Sequence, residues 1–255
     1  MVFIGDVVGS AGCEALSREL PNIRHDHKID LAVVNGENSA DGNGIDRSSM
    51  EAIFGAGADV ITTGNHAFHR SSIVREYEAK NTLLRPANLG EDLPGSGVCE
   101  IDCGAYSAAV INLIGVTFMQ PADNPFKCAD KLLESVNSKI IIVDFHAEAT
   151  SEKRAMGLFL AGKASAVFGT HTHVQTADEQ IIDGTGYITD AGMTGPRNSV
   201  LGVRPDISIE RFRTYRFQKY EVAQGECEVC GVVADIDQTN GKCVKIERIK
   251  RIVTI

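Results

Sequence analysis

Short apolar runs alternate with longer stretches in which apolar residues recur every three or four positions. Val2-Phe3-Ile4 is the first run; Gly5-Asp6 closes it, and a helical pattern through Leu16, Leu20 and Ile23 follows. Residues 31–34 form a second run, ending in Asn35-Gly36-Glu37-Asn38. A polar glycine loop comes next, and Ser48 reads as the N-cap of a helix carrying Met50, Ile53 and Phe54. Residues 60–63 end in Gly64-Asn65-His66; residues 71–80 read as helix, and Leu83-Leu84 opens another strand. Residues 98–101 and 108–113 alternate around Gly104 as a hairpin would. A helix over 129–136 leads to the most apolar run, 139–145, which stops at His146. A helix over 152–160 precedes the run 164–168, which gives way to Gly169 and then His171-Thr172-His173. Residues 186–189 form a strand ending in Asp190-Ala191-Gly192. Strands and helices in this alternation predict a parallel sheet and an α/β fold. From about Arg211 the pattern turns to β alone, with strands at 230–236 and 244–249 joined across Asn240-Gly241. No linker interrupts it, so one domain is expected over 1–255, with a β-rich C-terminal part from about 211.

With 255 residues, 43% hydrophobic and 23% charged, the chain has the composition of a globular protein able to bury a large core. Its net charge of −9 argues against tight binding of long nucleic acid, which needs a basic footprint. A single nucleotide remains compatible, and Lys153, Arg197 and Arg204 are candidates for a local basic patch. The start of the chain has no basic segment followed by a long apolar one, so no signal peptide is expected, and no apolar run nears the ~18 residues of a membrane span. Seven cysteines then read as reduced thiols, and the expected location is cytoplasmic.

Two motifs fail on chemistry. The segment from Gly157 to Ala164 has the outline of a phosphate loop, but Ala164 stands where a magnesium-binding Ser or Thr is required. Cys227 and Cys230 lie three apart on an expected strand and so point to opposite faces, which suits neither chelation nor redox pairing.

What remains is a series. Asp6, Glu37-Asn38, Asn65-His66, His146, and His171 with His173 each follow directly on an apolar run. Ligands of α/β sheets bind beyond the carboxyl ends of the strands, so parallel strands would bring these residues to one rim. Carboxylates, carboxamides and imidazoles without thiolate suit manganese, iron or zinc. Their number exceeds what one tetrahedral ion accepts. Two ions sharing a carboxylate fit better, a recurring device for phosphate ester hydrolysis.

The same residues carry a family resemblance. Gly5-Asp6, the acidic second loop, Gly64-Asn65-His66, His146 and Gly169-Thr170-His171-Thr172-His173 resemble the calcineurin-like metallophosphoesterases. Glu37 in place of the usual bridging aspartate is similar to their bacterial YmdB-like branch. So are Arg85-Pro86-Ala87-Asn88, the segment from Asp144 to Lys153 and the segment from Thr189 to Pro196. The resemblance implies a four-layer α-β-β-α sandwich. It implies two transition-metal ions, iron or manganese, one held by Asp6, Glu37, Asn38 and His173 and the other by Glu37, Asn65, His146 and His171. It further implies hydrolysis of nucleoside 2′,3′-cyclic phosphates to 3′-phosphates, with a metal-bridging hydroxide as nucleophile and His66 as general acid. The branch has Thr-Trp-Asp after Gly-Asn-His; here Ala67-Phe68-His69 stand instead, which alters the surroundings of His66.

Two alternatives keep the same residues: a phosphomonoesterase or RNA-end phosphatase on the same metal site, and a sensor of nucleotide or metal without turnover. The expected partner is a small nucleotide or phosphodiester and no membrane, and the C-terminal part offers either a cover for the core or a homo-oligomer contact.

Overall fold

The computed structural model describes residues 1–255. In chain order the elements are β1 (Val2–Ile4), β2 (Asp6–Val7), α1 (Gly9–Asp26), β3 (Ala32–Asn35), α2 (Arg47–Gly55), β4 (Val60–Thr62), α3 (Val74–Ala79), β5 (Val98–Asp102), β6 (Ser107–Ile114), α4 (Pro125–Ser135), β7 (Ile140–His146), α5 (Thr150–Phe159), β8 (Ala166–Thr170), β9 (Gln180–Ile182), β10 (Thr185–Ile188), β11 (Met193–Pro196), α6 (Pro205–Thr214), β12 (Cys227–Ile236) and β13 (Cys243–Val253).

They build two sheets. One runs β2-β11-β12-β1-β3-β4, with β13 added to β12; the other runs β5-β6-β7-β8-β10-β9. β1, β3 and β4 are parallel, as are β6, β7, β8 and β10. Phe3, Val33, Val60 and Val232 of the first sheet share one buried cluster with Val110, Ile142, Phe168 and Ile188 of the second. The Phe3 and Phe168 rings meet there at 5.1 Å. A second cluster packs the outer face of the first sheet against Leu16 and Leu20 of α1 and Met50 and Ile53 of α2. A third packs the outer face of the second sheet against Ala129 of α4 and Met156 of α5. The layers are therefore helix, sheet, sheet, helix, an α/β sandwich. Apolar burial at about 25 cal/mol per Å² drives this stacking, since each sheet has two apolar faces to cover.

Several elements differ from the expectation, each for a local reason. Asp46, not Ser48, caps α2: its side chain accepts from Ser49 N while the Ser49 hydroxyl receives the Asp46 N–H. α4 starts at Pro125 because Asn124 caps it and proline fits the first turn. α6 extends to Thr214, and strand structure resumes only at Cys227, so the β part begins later than the pattern suggests. Leu83 and Leu84 make single bridges to Ile61 and Ser96 rather than a strand. Gly157 lies within α5 against the Tyr187 ring, far from phosphate-loop geometry. All seven cysteines are free thiols; Cys227 faces the α1 cluster and Cys243 the layer between the sheets.

Candidate metal centre

The carboxyl ends of the parallel strands meet at one rim. Asp6 follows β1, Glu37 and Asn38 follow β3, Asn65 and His66 follow β4, His146 ends β7, and His171 and His173 follow β8. Two glycines allow the approach. A methyl group on Gly64 would lie 2.3 Å from His146 Nε2, and one on Gly5 would lie 1.8 Å from the Gly192 carbonyl oxygen. Both contacts are far inside van der Waals range, so only glycine permits them.

Each of three histidines has its outer ring nitrogen committed. Thr170 gives its hydroxyl proton to Asp144 Oδ1 (2.7 Å), so it accepts from His146 Nδ1 at 2.9 Å. His171 directs Nε2 at the Glu148 carboxylate (3.0 Å). His173 Nδ1 lies 3.1 Å from the Leu201 carbonyl oxygen, which can only accept. Each outer nitrogen therefore carries the proton, and His146 Nε2, His171 Nδ1 and His173 Nε2 present lone pairs to the interior. This carboxylate, hydroxyl or carbonyl backing is how proteins orient metal-binding imidazoles. Burial pushes His146 down to about 4, and burial with the neighbouring His146 does the same to His171, so both rings are neutral near pH 7.

Around His146 Nε2 stand His171 Nδ1 (3.0 Å), Asn65 Oδ1 (3.0 Å) and Glu37 Oε1 (3.2 Å). All four are acceptors with no proton of their own to share. Ligand atoms on one ion with bonds near 2.0–2.1 Å are themselves about 3–3.4 Å apart. Beside this group lie Asp6 Oδ1 and Glu37 Oε2, both buried and both without any hydrogen-bond partner. Burial raises the pKa of Asp6 and of Glu37, the cost expected of an anion with no counter-charge. His173 Nε2 lies 3.7 Å from Asp6 Oδ1. Asn38 turns its Nδ2 to His173 (3.2 Å) and its Oδ1 to His66 Nδ1 (2.9 Å). Half a turn of that amide exchanges the two ends and places the oxygen beside His173. No three His, Cys, Asp or Glu side chains close on one point as tightly as an ion would draw them. The donor set is slightly open in geometry, and its imidazole, carboxylate and carboxamide donors fit a transition-metal cation in chemistry.

The loop carrying His171 and His173 is held under strain. Their φ values are +95° and +64°, left-handed for non-glycine residues. Asp190 fixes the turn by accepting from Thr172 N (3.0 Å), Thr172 Oγ1 (2.6 Å) and Gly192 N (2.8 Å), and buried Lys153 neutralises it at 2.8 Å. This placement corrects the basic patch suggested by sequence: Lys153 is internal, while Arg197 pairs with Glu226 and Arg204 with Asp206 and Glu221.

Sequence reasoning passed over Asp144, Thr170, Glu148 and Asp190. Glu148 and Asp144 each lie two residues from His146, and an acid so placed was the available signal. His66 lines a cavity of about 850 Å³ together with His171, His173 and residues of the 201–222 segment. Burial lowers its pKa, partly offset by Glu37 at 3.2 Å, and Nε2 makes no hydrogen bond within the chain.

Two stacked sheets between helices, with a rim of imidazoles and carboxylates at their parallel strand ends, define the metallophosphoesterase class of fold. Within that class, a model of the YmdB-like protein family matches residues 2–249, and the chain belongs to this family. It is 45% identical to a Bacillus subtilis protein named 2′,3′-cyclic-nucleotide 2′-phosphodiesterase, over 98% of this chain and 96% of that one. A crystal structure described as a novel phosphatase from Mycoplasma pneumoniae is 35% identical, with a TM-score of 0.93 over 98% of this chain and 92% of that one. A putative 5′-nucleotidase from Staphylococcus aureus shares the fold alone, at 14% identity and a TM-score of 0.60 over 97% of this chain and 53% of that one.

Proposed function

We propose that this chain is a metal-dependent phosphodiesterase that opens nucleoside 2′,3′-cyclic phosphates to 3′-phosphates in the cytoplasm. The supporting observation is the convergence of three proton-free imidazole nitrogens with two unpartnered, buried carboxylate oxygens. Asp6, Glu37, Asn38 and His173 would hold one ion, and Glu37, Asn65, His146 and His171 the other, with iron or manganese suiting the donors. Such ions supply positive charge to the phosphoryl oxygens and acidify water.

The chain's own residues do the rest. Water adds to phosphorus, the bond from phosphorus to O2′ breaks, and O2′ leaves with a proton. His66 stands beside the ligands, faces the cavity and keeps one ring nitrogen free, so it delivers that proton. With the Asn38 oxygen turned to His173, its amide N–H would point at His66 Nδ1 and place the His66 proton on Nε2. The relatives named phosphodiesterase and phosphatase support hydrolysis of a phosphate ester.

The test is elemental analysis of protein purified without chelator, with hydrolysis of a 2′,3′-cyclic nucleotide assayed on the same sample. About two transition-metal ions per chain with a 3′-phosphate product is the expected result. Absence of metal even after manganese is supplied, or a 2′-phosphate product, would overturn the assignment.

A further inference from the structure

The stretch that contributes Arg211 and residues 217–220 to the cavity lined by His66 and Arg70 has an unusual composition. Residues 211–220 read Arg-Phe-Arg-Thr-Tyr-Arg-Phe-Gln-Lys-Tyr: four aromatic rings, four cations and no acid, in a chain whose net charge is −9. The rings are not core. Phe212 is 73% exposed, Tyr215 95% and Phe217 86%. Arg211 lies over the Tyr220 ring at 4.7 Å. Arg213 only approaches Glu210 at 3.6 Å, and Arg216 and Lys219 pair with no carboxylate. Arg204, by contrast, is neutralised by two acids. Arg211, Phe217, Lys219 and Tyr220 line the same cavity as His66, His171 and His173. At about 850 Å³ that cavity lies high in the range of small-molecule sites, roughly 300–1,000 Å³.

We infer that the substrate reaching this site is the 3′ end of a single-stranded RNA closed as a 2′,3′-cyclic phosphate, with the arm at 211–220 binding the nucleotides on its 5′ side. The inference rests on the phosphodiesterase reading above. A 2′,3′-cyclic phosphate within a polymer exists only at the terminal ribose of RNA, because DNA lacks the 2′ oxygen, and the strand then leaves through the 5′ oxygen. A site that grips the cyclic phosphate at the rim therefore has the strand emerging toward the mouth of the cavity. Alternating rings and cations are the two elements of single-strand recognition: bases stack on rings and phosphates meet cations. The negative charge of the whole chain disfavours duplex or long tracts, whereas a footprint of a few nucleotides needs only the local positive arm. The reaction is unchanged: water adds to phosphorus, the P–O2′ bond breaks, and the RNA ends in a 3′-phosphate and a 2′-hydroxyl.

The test compares a hexaribonucleotide ending in a 2′,3′-cyclic phosphate with the corresponding cyclic mononucleotide, using the metal-loaded full chain. Its companion variant is Tyr215→Ala with Arg216→Gln, two residues outside the cavity lining. Stacking at a single base predicts an advantage in kcat/KM of about five- to a hundredfold for the hexamer. The double variant is expected to pull that ratio toward one, and fluorescence anisotropy of the labelled product strand should show weaker, less salt-dependent binding. A mononucleotide turned over as well as the hexamer overturns this inference and leaves the phosphodiesterase reading standing. Turnover of neither overturns both. A double variant that changes the sedimentation coefficient and leaves the hexamer preference intact assigns the arm to subunit contact and overturns the inference.

Discussion

His146 Nδ1 and Thr170 Oγ1 are 2.9 Å apart, and this contact decides which nitrogen of His146 faces the rim. Thr170 spends its proton on Asp144, so the imidazole must donate. Asp144 is itself fixed by Thr62 (2.5 Å) and Asn35 (2.8 Å). Replacing Thr170 with Val removes the acceptor and frees His146 to place its proton on Nε2. Metal affinity should fall ~10–100-fold, as measured by titration of the metal-free protein with manganese. Stability should fall by about 1–3 kcal/mol, because Asp144 loses a donor while buried. An unchanged affinity would show that Thr170 does not set the ring.

Asp6 and Glu37 give a second expectation. Each buries an oxygen with no partner, so cations should stabilise the fold strongly. At a hundredfold excess over the dissociation constant, one ion adds about 2.7 kcal/mol, and for a chain of this size that raises Tm by roughly 5–10 °C. Asp6→Asn should abolish most of that gain while leaving the metal-free protein at least as stable as the parent, since the variant removes a buried anion. Thermal scans with chelator and with manganese measure both effects. A metal-free variant that melts well below the parent would mean that the Asp6 charge is neutralised by some other route.

How much of this was readable in advance depends on whether the signal was local. The rim residues were legible because each directly follows an apolar run, and the run itself dictates the strand that points it. The α/β class followed from the alternation of strands and helices, whereas the four layers came from the family resemblance. What escaped were contacts across sequence. Thr170 backs His146 across 24 residues, and Asp190 pins the His171 loop from 18 residues downstream. Neither partner differs in type from dozens of ordinary polar residues. α6 was missed because Arg211 and Arg213 mask its period, and its apolar Ile209 and Phe212 lie exposed rather than against the core. Lys153 looked like surface charge until the structure set it against Asp190.

The thiols yield a prediction away from the rim. Burial pushes Cys13, Cys99 and Cys230 up to about 12, and Cys227 and Cys243 to about 11, each chiefly by desolvation. Only Cys103 and Cys128 are partly exposed. Alkylation near pH 8, read by mass spectrometry, should label those two and spare the other five until denaturant is added, because the thiolate is the reacting form. These raised values stabilise the fold fully below the ordinary thiol range near 8.5–9, and the contribution is lost as pH climbs toward 11–12. Stability should therefore decline on the alkaline side, and Cys230→Ala should soften that decline. Rapid native labelling of Cys227 or Cys230 would contradict the burial argument.

His66 separates proton delivery from metal binding. Its ring lies 4.5 Å from that of His69, with Nδ1 held by Asn38, and it lends no atom to the group around His146 Nε2. His66→Gln should therefore keep full metal content while lowering kcat on a 2′,3′-cyclic nucleotide by ~10²–10⁴-fold, the usual worth of a general acid. The deficit should depend on the leaving group. A ribose alkoxide needs its proton in the transition state, whereas nitrophenolate departs without one, so bis-p-nitrophenyl phosphate should lose far less rate. Asp6→Asn should lower both rates together, since it weakens the site that binds either ester. The ratio of the two rates is therefore the decisive measurement. If His66→Gln slowed both substrates equally, His66 would be positioning a ligand such as Asn38 rather than passing a proton.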